Sequence, residues 1–172
     1  MQVLAYVLSI IGLASVVLSY LLKGKNMIMI LILLFLANLF VGLSYLCTGN
    51  LPGSLSCFLG AVQCIINFGF ESKGKDLPKW LVAVYAASFI VVNLIVFTRV
   101  ADILAIVAAM LFIMSILQKN GKQYRLWNFM NVAVWCIYDI ICGTYGPLIT
   151  HSIQFFTLIS GMLIHDRKKE DN

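Results

Sequence analysis

WLVAVYAASFIVVNLIVFTRVADILAIVAAMLFIMSIL, from Trp80 to Leu117, is the stretch whose reading decides how the chain is folded. It holds two charges, Arg99 and Asp102, and neither Gly nor Pro, so it could pass for one continuous apolar helix. At about 1.5 Å per residue that helix would run about 57 Å, nearly twice a hydrocarbon core of about 30 Å. The thickness of a bilayer therefore divides it into two crossings at Thr98, Arg99 and Val100. Asp102 then falls in the first turn of the second crossing, where the positive end of the helix dipole favours a carboxylate.

Working outward, a crossing needs about 20 helical residues, with about 17 tolerated. The chain supplies such runs near Val3 to Leu22, Met27 to Leu46, Pro52 to Phe70, Trp80 to Phe97, Ala101 to Leu117, Leu126 to Cys142 and Pro147 to Ile164. Pro52, Pro78 and Pro147 stand at or just before helix starts, where the missing N–H costs nothing. Met1 and Gln2 lead straight into apolar residues without the basic opening of a signal peptide, so a retained first span is expected. With 62% hydrophobic and 11% charged residues and a mean hydropathy of +0.98, the composition is that of a polytopic membrane protein.

Orientation follows from the cations. Of the 12 Lys and Arg residues, all but Arg99 fall in alternate gaps. Lys23 and Lys25 follow the first run, Lys73, Lys75 and Lys79 the third, Lys119, Lys122 and Arg125 the fifth, and Arg167, Lys168 and Lys169 the seventh. Loops rich in Lys and Arg stay in the cytoplasm, which predicts an outside N-terminus and a cytoplasmic C-terminus. The formal charge of +5 thus belongs to loops that meet headgroups, and nucleic acid is not an expected partner.

The chain also repeats itself. A shift of 96 places Ala5, Ser9, Gly12, Ser19 and Lys23 on Ala101, Ala105, Ala108, Ser115 and Lys119. A shift of 93 places Asn38 on Asn131 and Tyr45 on Tyr138. Small residues three, four and seven apart share a helix face and let a neighbouring backbone approach. The uncharged turns Gly49 to Pro52 and Gly143 to Pro147 open the third and seventh spans alike. The expected fold is therefore an all-α membrane protein of seven transmembrane helices. Residues 1–72 form a first three-helix bundle, 73–99 a cytoplasmic loop and linker helix, and 100–172 a second bundle with a basic tail. A single linker crossing makes the two repeats parallel.

Polar groups inside apolar runs are the pointers to function. Asn128, Asn131, Trp135, Tyr138 and Asp139 form one stripe in the sixth run, echoed by Asn38 and Tyr45 in the second. In the third, Ser56, Gln63 and Asn67 recur on one face. In the seventh, Thr150, Gln154 and Thr157 share a face with His151 beside it. Converging between the two bundles, these stripes would line a pocket for a small polar solute, with Asn131, Trp135, Tyr138, Asp139, Gln63, Asn67, Asn38 and Gln154 as its candidate binding residues. Interhelical hydrogen bonding at about 0.6 kcal/mol apiece is the competing reading for such side chains. Asp139, about one turn from Gly143, either reaches water or is a proton site partnered by His151. Trp80, Trp127, Tyr124 and Tyr145 sit near span ends, as interfacial rings do.

The five cysteines lie in or at the ends of apolar runs and read as small hydrophobes, with Cys47 and Cys142 alone placed to meet as a disulfide. No HExxH, no Ser and Lys pair, no facing carboxylates and no phosphate-binding loop occur, so neither an enzyme nor a cofactor or metal is expected.

GLSYLCTGNLPGSLSC, Gly42 to Cys57, and WNFMNVAVWCIYDIICGTYG, Trp127 to Gly146, resemble the YgjV family of bacterial inner membrane proteins, in order along nearly the whole chain. The resemblance implies a multi-pass protein of the bacterial inner membrane. The layout is similar to the three-plus-one-plus-three architecture of SWEET sugar transporters. Those proteins hinge on a proline followed by glutamine in the first helix of each triplet, and spans one and five here have no proline, so that hinge does not carry over. Two functions stay open: a transporter or facilitator of a small solute, and a non-transporting membrane protein that binds a partner, a lipid or a second copy of itself.

Overall fold

The computed structural model describes residues 1–21, 27–118 and 121–165. Among them are seven helices and no strand: α1 Gln2–Leu21, α2 Met27–Cys47, α3 Leu51–Glu71, α4 Lys79–Ile95, α5 Asp102–Ile116, α6 Gly121–Cys142 and α7 Tyr145–His165. The basic residues Lys23, Lys25, Lys119, Arg167, Lys168 and Lys169 lie outside the described residues. Lys73, Lys75 and Lys79 are exposed together around the α3–α4 connection.

The division at Thr98 to Val100 is present, with α4 ending at Ile95 and α5 starting at Asp102. Helix α6 starts five residues before the predicted Leu126, at Gly121. The apolar run measures the part that suits hydrocarbon, whereas backbone hydrogen bonding carries the helix on through Lys122 to Arg125. By length and apolarity α1, α2 and α3 each suffice to cross a membrane, while α4 and α5 are apolar but shorter.

The helices pack in a ring. Helix α2 lies against α1 and α3, and α6 against α5 and α7. Among the described residues α4 touches only α3 and α5, while α7 returns to α1 and α2, and α3 touches α5. Small residues set the closest approaches. Ser9 donates to Ser44 at 2.8 Å, Ser44 donates to the carbonyl of Ala5 at 2.8 Å, and Thr150 donates to the carbonyl of Ser9 at 2.9 Å. A Cβ on Gly146 would lie 3.0 Å from Ser9 Oγ and 3.2 Å from the Ala5 carbonyl oxygen. Ala5 and Ser9 thus meet Gly146 and Thr150 in the same order, so α1 and α7 run in the same direction.

Helices α2 and α6 end alike. Gly49 and Gly143 take φ of 75° and 69°, and the next residues, Asn50 and Thr144, donate their N–H groups back to the carbonyls of Tyr45 and Asp139 at 3.0 Å. A left-handed residue after the last turn closes a helix in this way, and only Gly adopts it without strain. The main apolar core lies between the two ends of the ring, around Val41, Tyr45, Cys57, Ala105, Ala108, Trp135 and Tyr138. A second cluster of Leu81, Tyr85, Phe89, Ala109 and Ile113 fastens α4 onto α5.

Candidate functional site

At the centre of the ring is a cavity of about 80 Å³ to which all seven helices contribute. Asn38 and Asn131 line it near the midpoints of α2 and α6, with Asn128, Trp135, His151 and Gln154 around them. The Nδ2 of Asn38 donates to the carbonyl of Leu34 at 2.9 Å, and that of Asn131 to the carbonyl of Ala108 at 2.6 Å. Because a backbone carbonyl can only accept, each asparagine is oriented with Oδ1 left over as an acceptor. Gly60 makes room for one of them: a Cβ there would come within 2.9 Å of Asn38 Oδ1.

Between the cavity and the Gly49 and Gly143 turns lies a roof of paired side chains. The hydroxyl of Tyr45 donates to Asp139 Oδ1 at 2.6 Å, that of Thr144 to the same oxygen at 2.7 Å, and His151 Nδ1 meets Oδ2 at 2.7 Å. The hydroxyl of Tyr138 donates to Asn50 Oδ1 at 2.7 Å. The two tyrosines therefore reach across in opposite senses: Tyr45 from α2 to α6, and Tyr138 from α6 to the start of α3. Tyr45, Tyr138 and Asp139 are each 0% exposed. Trp135 stacks on the His151 ring with centroids 5.6 Å apart and planes at 13°.

Asp139 is thus sealed from water, although it lies close to its helix end. The distance to Gly143 along α6 says nothing of Tyr45, Thr144 and His151, which close on the carboxyl. It meets His151, the partner the sequence suggests. An N–O separation of 2.7 Å needs one proton between the two groups.

Asn38, Asn131, Trp135, Gln154 and His151 come together on the cavity, and Tyr138 and Asp139 stand in its roof. The structure does not bring Gln63 and Asn67 there. Their stripe faces α4 instead: Ser56 bonds Asn93 of α4 at 3.1 Å, and Tyr85 of α4 donates to Asn67 at 3.0 Å. Gln63 lines a separate, mostly apolar cavity of about 110 Å³ between α3 and α4. It is 1% exposed, and its amide has no hydrogen-bond partner among the described residues. A buried amide without partners costs about 1–3 kcal/mol. Gln63→Leu is therefore expected to raise the thermal unfolding midpoint of the detergent-purified protein, and a lowered midpoint would show that the amide is bound to something it needs.

Two buried asparagines escaped the sequence reading. Asn50 caps α3 by accepting from the Gly53 N–H at 2.9 Å while also receiving Tyr138. Asn93, 0% exposed, bonds both Ser56 and the carbonyl of Phe89. The signal for Asn93 was its isolation within an apolar run. Cys47, Cys57, Cys64, Cys136 and Cys142 are all free, so the Cys47 and Cys142 pairing is absent.

No curated protein and no solved structure matches the chain. The family model Imp-YgjV, described as a bacterial inner membrane protein, matches residues 3–169. With nearly its whole length covered, the chain belongs to this family of bacterial inner membrane proteins.

Proposed function

We propose that the protein is a facilitator or transporter of a small polar solute, held at mid-depth in the central cavity. The single observation that carries this reading is a cavity built by every helix, in which hydrogen-bonding atoms of Asn38, Asn131, His151 and Gln154 are left over from the internal pairing. Unspent polar groups at the middle of an apolar bundle are costly, and substrate is a reason to keep them. The cavity lies where the α1–α3 and α5–α7 units meet, and α4, which touches only the inner helices of the two units, acts as the linker. Parallel three-helix repeats, seven crossings, an outside N-terminus and a cytoplasmic C-terminus complete the reading. It assigns the chain no catalytic step.

Transport is tested by uptake of a labelled solute library into proteoliposomes. Asn131→Leu removes both the bond to the Ala108 carbonyl and the acceptor facing the cavity, and uptake is expected to fall about tenfold or more, the worth of one lost polar contact of about 1.4 kcal/mol. Uptake indifferent to the change would remove this site. Topology has its own check: reporters fused to the two termini are expected in opposite compartments, and finding both on one side would end the parallel arrangement. A second reading, lipid or partner binding without transport, is favoured by the apolar cavity between α3 and α4. On that reading function survives Asn131→Leu and responds to Gln63→Leu.

A further inference from the structure

Resting on the transport reading above, we infer that the central cavity takes a small uncharged solute that both donates and accepts hydrogen bonds, of the size of glycerol or urea, and excludes both anions and hexoses. The first argument is the sign of the groups on offer. Asn38 and Asn131 present carbonyl oxygens, because their Nδ2 groups are held by backbone carbonyls. With an oxygen of Asp139 as the acceptor for Nδ1–H, His151 is left with Nε2 as a lone-pair acceptor. Gln154 is 9% exposed, lines the cavity and has no hydrogen-bond partner among the described residues, so it supplies one further acceptor and a free amide N–H pair, while Asn38 and Asn131 each keep a second N–H beside Oδ1. A ligand there meets both acceptors and donors.

The second argument is charge. Among the described residues no Lys or Arg lines the cavity, and the carboxylate nearby, Asp139, is in its roof with both oxygens engaged by Tyr45, Thr144 and His151. A carboxylate or phosphate would face carbonyl oxygens with no compensating cation, and a desolvated charge without a partner is strongly disfavoured. An uncharged solute carries no such cost.

The third argument is size and shape. A cavity of about 150 Å³ takes benzene, so one of about 80 Å³ holds at most about six non-hydrogen atoms. Glycerol has that many non-hydrogen atoms and urea fewer, whereas a hexose has about twice as many. The walls opposite the polar atoms are Trp135, Phe89 and Phe112, flat surfaces that suit a short carbon chain or a planar urea.

The test uses the full-length protein in liposomes of bacterial lipid and follows osmotic shrinkage and re-swelling with glycerol, urea, glucose, glycine and lactate. Glycerol or urea is expected to enter about tenfold faster than through protein-free liposomes, with lactate, glycine and glucose at background. Gln154→Met keeps the volume and breaks no protein hydrogen bond. It is expected to slow the permeant solute about tenfold. Binding is read independently from the fluorescence of Trp135 in a Trp80→Phe, Trp127→Phe background, where glycerol or urea is expected to change the emission and lactate to leave it unchanged. Entry of lactate, glycine or glucose with glycerol and urea excluded would overturn the solute class and leave transport standing. No entry by any solute, with an unchanged Trp135 signal, would overturn both.

Discussion

Replacing Asp139 with leucine is expected to abolish recovery of folded protein from the membrane, the largest effect of any single substitution considered. The carboxyl receives three donors at 2.6–2.7 Å, from Tyr45, Thr144 and His151, and all of it is buried. Leucine has the same branching at Cγ but is larger and accepts nothing, so two hydroxyls and an imidazole N–H lose their partner at once. Each orphaned buried group costs about 1–3 kcal/mol, and the sum of about 5 kcal/mol is comparable with the whole stability of a typical domain. The bond from Tyr45 also joins α2 to α6, so its loss loosens the contact between the two halves of the ring. Monodispersity on size exclusion in mild detergent, together with the thermal midpoint, measures the effect; a leucine variant as stable as the parent would show that the network does not hold the fold.

Asp139→Asn separates stability from chemistry at the same position. Its Oδ1 can still accept from Tyr45 and Thr144, and its Nδ2 donates to His151 Nδ1 provided the imidazole moves its proton to Nε2. The cost is then about 1–2 kcal/mol, since charge-assisted bonds become neutral ones. The consequence lies in the cavity, where His151 changes from an acceptor to a donor. Nitrogen-15 NMR of the His151 ring is expected to report the opposite tautomer in this variant, and permeation of glycerol or urea is expected to fall while the protein stays folded. An unchanged tautomer would mean that Asp139 does not fix the protonation of the ring.

How much of this was legible beforehand differs from residue to residue. The break at Thr98 to Val100 was legible because hydrocarbon thickness is an external ruler that no side chain can evade. The pairing of Asp139 with His151 was legible because a carboxyl inside an apolar run needs a partner, and few candidates exist among so few ionisable groups. The burial of Asp139 was not, since its depth depends on which turns fold over it. The Ser56, Gln63 and Asn67 stripe is real, but a stripe records the angle around its own helix and not the identity of the neighbour. Helix α4 carries its own matching face, with Tyr85 and Asn93 eight residues apart. Pairing polar faces with one another, rather than sending all of them to one centre, would have found the α3–α4 contact.

Asp102 shows how a turn can be made without Gly or Pro, and its removal carries the second large effect. The sequence reading gave it a favourable place at the start of a helix, an interaction worth about 0.3–1 kcal/mol. The structure gives it more to do. One oxygen, Oδ2, accepts the backbone N–H groups of Thr98 and Arg99 at 2.9 and 3.0 Å and the Thr98 hydroxyl at 3.0 Å. The other lies 3.4 Å from the Tyr138 hydroxyl, while Arg99 stays 3.9 Å away and half exposed. The carboxyl thus reaches back to hold two N–H groups of the turn that leads into α5, as the returning carboxylate of a capping box does. Asp102→Ala strips three donors from one charged acceptor, and at about 1.5–3 kcal/mol for a bond to a charged group, reduced by solvent at the exposed Thr98, a loss of about 3 kcal/mol is expected. Asp102→Asn keeps the acceptor oxygen without its charge and should lose about half of that. Arg99→Gln, by contrast, is expected to change stability by less than about 0.5 kcal/mol, because a half-exposed guanidinium 3.9 Å from the carboxyl contributes little. Thermal midpoints in detergent rank the three variants. If Asp102→Ala and Arg99→Gln proved equally mild, the turn would have to be held by the apolar packing of α4 on α5 and not by the carboxylate.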